Sequence, residues 1–251
     1  MAGASQLVFA SYVVLFYGRA QLASQPQRWN EIMNRGYVKG DVVFNAVLGL
    51  HLAMAVAIML GGFLQLMPRW RQLAPGFHRW NGRIYMLLAL GMGVGGLSLI
   101  WIRGGAAGDL SQHLGTSFNA VLIIAFAGAA WRHARARRFD AHRRAALRLF
   151  LVVSGVWFFR VGLMLWLVVN QGPVGFDPRT FTGPFLTLLA FAQTLLPLAV
   201  LEAWLRATKE TRPVIQWATA GMLIVCGLAT LVGSAAAAAI MWWPNMLPTA
   251  G

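Results

Sequence analysis

Polar positions are sparse along this chain and gather in short turns, leaving long apolar blocks without strict alternation. Seven blocks approach the ~20 residues that carry a helix across a bilayer. They lie at about 4–20, 42–67, 80–102, 112–131, 146–169, 185–205 and 214–243. The first is the shortest; it has no Lys or Arg before its apolar stretch and no small-x-small site after it, which predicts an uncleaved span rather than a signal peptide. The pattern therefore predicts an all-α polytopic transmembrane helical bundle of about seven spans, one transmembrane domain over residues 1–251. Gly91, Gly93, Gly95 and Gly96 in the third block, and Gly227, Gly233 and Ala235–Ala239 in the seventh, allow close helix approach. The segment 19–40 is expected to carry a short surface helix around Trp29–Met33.

Composition agrees with this pattern and excludes a soluble single-core protein. Hydrophobic residues make up 58% and charged residues 11% of 251 positions, with a mean hydropathy of +0.61. That is too much apolar surface for one soluble core. Trp70, Trp80 and Trp131 at one set of block ends, and Trp101, Trp242 and Trp243 at the other, suit interfacial belts.

Charge adds orientation. Of the 21 Lys and Arg, fourteen fall in the turns 68–83, 132–148 and 206–212. Arg19, Arg28, Arg35, Lys39, Arg103 and Arg179 lie in the opposite loops, and Arg160 lies inside a block. Basic residues beside spans stay on the cytoplasmic side, so the expected N-terminus is cytoplasmic and the C-terminus outside, in the inner membrane of a bacterium. The net charge of +14 is spread over block ends instead of one soluble patch, which points to anionic lipid head groups and not to nucleic acid. Partner membrane proteins remain open.

The single Cys226 permits no intrachain disulfide and no cysteine metal cluster. No P-loop, dinucleotide fingerprint, HExxH or Gly-x-Ser-x-Gly elbow occurs. The stretch 77–83, FHRWNGR, packs a histidine and two arginines around a tryptophan. It has a partner: FNAVL occurs at 44–48 and again at 118–122, each followed by a basic turn closing in His-Arg, at His78-Arg79 and His142-Arg143. Both copies run the same way, which suggests a parallel duplication of a helical hairpin, 41–102 and 112–170, joined by spans 4–20, 185–205 and 214–243.

His51, Gly61, Gln65, Arg71, HRWNGRIY, Gly95-Gly96, Asp140 before HRR, Arg160 and Glu202 together resemble the bacterial membrane proteins grouped as domain-of-unknown-function family twenty-three-oh-six. The resemblance covers about 41–206 and departs at Ala145-Ala146, where a Trp-Met pair is usual. It implies the architecture and marks residues without assigning chemistry to them.

Depth sorts the polar residues into two layers. His51 is ten residues inward from Asp41, and Arg160 is eleven from Gln171 at the other end of its span. At 1.5 Å per residue each sits ~15 Å deep, so they can meet, with Gln193 near the same level. An unpaired Arg at that depth costs ~2.5–3.5 kcal/mol on insertion scales, so Arg160 should face the interior, either on a ligand or on backbone carbonyls that lock helices together. The second layer is His78, His142 and Glu202 within a ring of arginines. Two histidines and a carboxylate suit a divalent metal; two histidines suit haem iron; a solvated basic turn is the plain alternative. His113 and His133 are weaker candidates.

Three functions follow as expectations. The first is b-type haem electron transfer, linked to quinone or a partner complex, with His51, His78, His142 and Arg160 as cofactor-binding candidates. The second is anion or proton transport through the His51/Arg160 layer. The third is an accessory subunit of a membrane complex.

Overall fold

The computed structural model describes residues 2–33, 36–102 and 108–247, and all their side chains except those of Ala2, Trp70 and Arg71. Arg35 and Arg103, counted above among the loop cations, lie outside the described residues.

Helix follows apolar block closely, and the boundaries are set by capping chemistry. α1 (Ala2–Tyr12) runs through a π-helical stretch, Val13–Gly18, into α2 (Arg19–Leu22). α3 (Val42–Leu66) starts where the Asp41 carboxylate accepts from the Phe44 amide at 3.0 Å. The short α4 (Pro68–Leu73) leads to α5 (Pro75–Trp101), which opens on a proline that has no amide hydrogen to leave unsatisfied. Asp109 caps α6 (Leu110–Arg135) through the Gln112 amide. α7 (Phe139–Val153) and α8 (Gly155–Asn170) meet at Ser154 with a 52° bend. α8 ends on Gln171 in the left-handed conformation, φ 54°. α9 (Pro184–Ala207) and α10 (Pro213–Ala236) again begin on proline; α10 continues through a π-helical stretch, Ala237–Trp242, into α11 (Trp243–Met246).

The protein is thus an all-α polytopic membrane bundle. Among the described residues five helices are long and apolar enough to cross a membrane, or six when the bent α7–α8 pair counts as one. The expected seventh, 4–20, is the exception. Ser5, Gln6, Ser11 and two tyrosines dilute its apolar run, and one face of the helix packs against its neighbours, with Phe9, Tyr12, Phe16 and Tyr17 buried while Ser11 and Val14 on the other face stay exposed. Its face is satisfied by protein, so it needs less hydropathy than a lipid-facing helix. Outward-facing Leu87, Val94, Leu196 and Ile224 remain exposed, as lipid contact requires.

Two apolar cores hold the bundle. One joins α1, the π-helical stretch after it, Trp29, α8 and the chain's end around Trp157 and Trp242. The other joins α3, α5, α6 and α7 around Tyr85, Ala127, Ala130 and Leu149. Trp242 therefore differs from the expected belt: it is fully buried, with its ring 5.2 Å from Phe9. Trp80, Trp101 and Trp243 are exposed, as belt residues are. The expected surface helix near Trp29 is a 3-10 turn, Pro26–Glu31, pinned by the Trp29 indole donating to the Tyr17 carbonyl at 3.1 Å.

Candidate functional site

The FHRWNGR turn opens α5 and ties it to α3. Asn81 Nδ2 donates to the Gly61 carbonyl and to Gln65 Oε1, each at 2.9 Å. Gln65 Nε2 donates to the His78 carbonyl at 3.2 Å and lies 3.3 Å from His78 Nε2. A Cβ on Gly82 would sit 2.8 Å from Gln65 Nε2, so the glycine leaves room for that amide. Arg83 rests over the Trp80 ring at 5.0 Å. Much of the stretch is a polar clasp between two helices.

Its remaining groups face a cleft of about 820 Å³ between the α3–α5 and α6–α7 hairpins. His78, Arg79 and Arg83 line one side; Trp131, Arg135, Asp140, His142 and Arg143 line the other. His142 Nδ1 lies 2.9 Å from the Ala130 carbonyl. A carbonyl only accepts, so Nδ1 carries a proton, and in the neutral imidazole the lone pair is then on Nε2. Glu202, grouped by depth with the two histidines, is not in the cleft wall. It accepts from Arg148 Nε at 2.7 Å, joining α9 to α7. Among the described residues no three His, Cys, Asp or Glu side chains are grouped to hold a metal ion.

A second, smaller cavity of about 90 Å³ lies deeper, and both His51 and Arg160 line it. Arg160 reaches the Val156 carbonyl at 3.4 Å and stands 5.1 Å over the Phe9 ring. Gln193 does not join them; it is buried and donates to the Ala190 carbonyl of its own helix at 2.9 Å. Residues not foreseen complete the wall: Gln6, Tyr12, Tyr17, Ser154 and Trp157. Gln6 was visible as an amide within an apolar block, but its orientation was not. Tyr85 and Phe150 line both cavities and so form the partition between them.

With this geometry in view, residues 48–196 match the family described as "Predicted membrane protein (DUF2306)". The chain belongs to that family. The DUF2306 match takes in His51, both cavity-lining histidines of the cleft and Arg160, and stops short of Glu202. No curated protein and no solved structure matches the chain. His113 packs edge-on to Trp101 at 6.5 Å, away from both cavities, and His133 lines neither.

Proposed function

We propose that this protein is a membrane electron-transfer protein whose large cleft takes a b-type haem. One observation carries the reading: His78 and His142 reach the same cleft from two hairpins, and His142 offers an Nε2 lone pair fixed by its backbone hydrogen bond. The cleft volume lies within the ~300–1,000 Å³ usual for cofactor sites. Arg79, Arg83, Arg135 and Arg143 supply guanidinium partners for propionate carboxylates, and Trp131, Met86 and Phe150 supply apolar wall. When bound, such a group would supply one-electron chemistry at its iron. The chain's own residues orient and tune: Ala130 holds the His142 ring, and Gln65 holds His78. His78 Nε2 already faces the Gln65 amide, so His142 is the principal ligand, and His78 binds only once Gln65 releases it.

The same reading includes a finer topology. Seven crossings, with α1 as an interior span, would place the N-terminus in the cytoplasm and the C-terminus outside in a bacterial inner membrane; the basic asymmetry supports this. The basic turns then meet anionic lipid. The like placement of His78 and His142 at the starts of α5 and α7 supports the parallel hairpin duplication, the second copy differing by its bend at Ser154.

Purified in detergent after expression with haem supplied, the protein should show a Soret band that sharpens and shifts on dithionite reduction. His142→Ala should abolish it, His78→Ala should convert a low-spin spectrum to high-spin, and His51→Ala and His133→Ala should leave it intact. A colourless preparation would end the haem reading. A second reading, anion or proton passage through the His51/Arg160 layer, is favoured by the cavity that those two residues share and by Tyr85 and Phe150, which line both it and the cleft.

A further inference from the structure

The small cavity contains hydrogen-bonding capacity that the protein itself does not satisfy. Arg160 brings a guanidinium cation into the cavity wall. Among the described residues it has no carboxylate partner, only a long bond to the Val156 carbonyl and the Phe9 ring. His51 Nδ1 is buried without a hydrogen-bond partner, its ring laid across Gly95 and Gly96. Tyr12 and Tyr17 bond to each other at 3.3 Å, which leaves one phenolic hydrogen to donate elsewhere. The phenolic hydrogen and the guanidinium are donors, the guanidinium is also a cation, and His51 Nδ1 is donor or acceptor according to its tautomer. Beside them stands an orphan acceptor, Gln6 Oε1, on a residue only 2% exposed whose amide nitrogen is committed to Ser154 Oγ at 3.0 Å. Unsatisfied groups at such depth are costly, which makes the set a description of the ligand that completes it.

Charge requires an anion, and planar paired oxygens suit guanidinium best. Gln6 requires a hydroxyl or amine hydrogen on the same ligand. Size then decides: at about 90 Å³ the cavity is smaller than the ~150 Å³ engineered cavity that accepts benzene, so a quinone or other ring is excluded. We propose that this cavity is a binding site for a short 2-hydroxy monocarboxylate of two or three carbons. Its carboxylate meets Arg160, with the tyrosine donor alongside; its hydroxyl donates to Gln6 Oε1. Phe9, Leu52, Met59 and Trp157 enclose the carbon chain. The inference names the ligand class for the second reading above and does not depend on haem. It stands on binding alone, so a failure of transport leaves it intact.

The test is calorimetric titration of the purified, detergent-solubilised protein with glycolate, lactate, acetate, benzoate and chloride. Saturable binding of glycolate or lactate is expected, with acetate about tenfold weaker for the lost hydroxyl bond. Benzoate should not bind. Arg160→Gln should remove binding of all carboxylates, and Arg160→Lys should weaken it by an intermediate factor without loss of folding. Gln6→Leu should bring glycolate down to the level of acetate, a change that a merely structural role for Gln6 would not produce. No saturable binding of any carboxylate, equal binding by the wild type and a folded Arg160→Gln, or displacement of glycolate by equimolar chloride would each overturn the assignment.

Discussion

Single positions show which parts of the site depth and composition could reveal. His51 and Arg160 were paired by counting residues from helix ends, and they do share a cavity, because both also face inward. Gln193 and Glu202 matched in depth but point elsewhere, since the rotational phase of a helix depends on neighbours that spacing does not specify. Glycines show the same limit. Gly227 and Gly233 read alike as small residues in one block, which also holds Gly221. Only Gly233 is needed: a Cβ there would overlap the Val161 carbonyl, whereas at Gly221 and Gly227 it would meet open space. Gly233→Leu should therefore lower unfolding stability by about 1–3 kcal/mol or more, the cost of overpacking against backbone that cannot move aside. Gly227→Leu should leave thermal unfolding in detergent unchanged. At the surface, Glu210 accepts from the Arg212 guanidinium and amide, which hold its carboxyl below the ordinary value. The sign is that of a depressed acid: any stabilisation is present above the unfolded-state pKa and fades as pH falls through the folded one. Arg212 is exposed and Glu210 partly so, which leaves the pair open to screening, so Glu210→Gln should leave the acid limb of the unfolding profile almost unmoved.

At the scale of helices, apolar blocks located most long elements to within a few residues, though α7 begins at Phe139, seven residues ahead of its block. Pro75 starts α5 five residues ahead of the block at 80, because the polar FHRWNGR turn is already helical and bonded to α3. The block at 146–169 hides a break. Ser154 and Gly155 are a small-residue pair of the sort that bends helices, and the bend brings Asn119 so close that a Cβ on Gly155 would lie 2.9 Å from its amide. Asn119 in turn accepts from the buried Thr194 hydroxyl at 2.8 Å, tying α6 to α9. The side chain of its FNAVL counterpart Asn45 instead bonds to the nearby Val38 backbone, so the echo keeps letters and place while the contacts differ. The Arg148–Glu202 pair ties α7 to α9 beside the cleft; both side chains are partly exposed. A double-mutant cycle of Arg148→Ala and Glu202→Gln should give a coupling of about 0.5–1 kcal/mol, in line with a screened pair, and it should shrink in high salt. A coupling near zero would make the contact incidental to the packing of these helices.

Across the whole molecule the two layers acquire a direction. The cleft opens among the basic turns, and the small cavity lies beyond Tyr85 and Phe150, deeper in the bundle. Hydropathy alone made α1 a marginal seventh span. Burial gives it another part: it contributes Gln6, Tyr12 and Tyr17 to the inner cavity, so the N-terminal segment closes the site instead of merely anchoring the chain. Orientation decides which compartment the cleft serves, and it is testable without any ligand. Cysteines placed one at a time in a Cys226→Ser background, at Pro75, Arg138 and Thr208 for the basic turns and at Gly172 for the opposite end, report their side to an impermeant thiol reagent. With the basic turns cytoplasmic, as the fourteen-to-six asymmetry requires, Gly172→Cys should label in intact cells and the other three only after lysis. Labelling of Pro75→Cys or Arg138→Cys from the periplasm would invert the molecule. The cleft would then open outward, and any electron acceptor or small acid that uses it would have to be periplasmic.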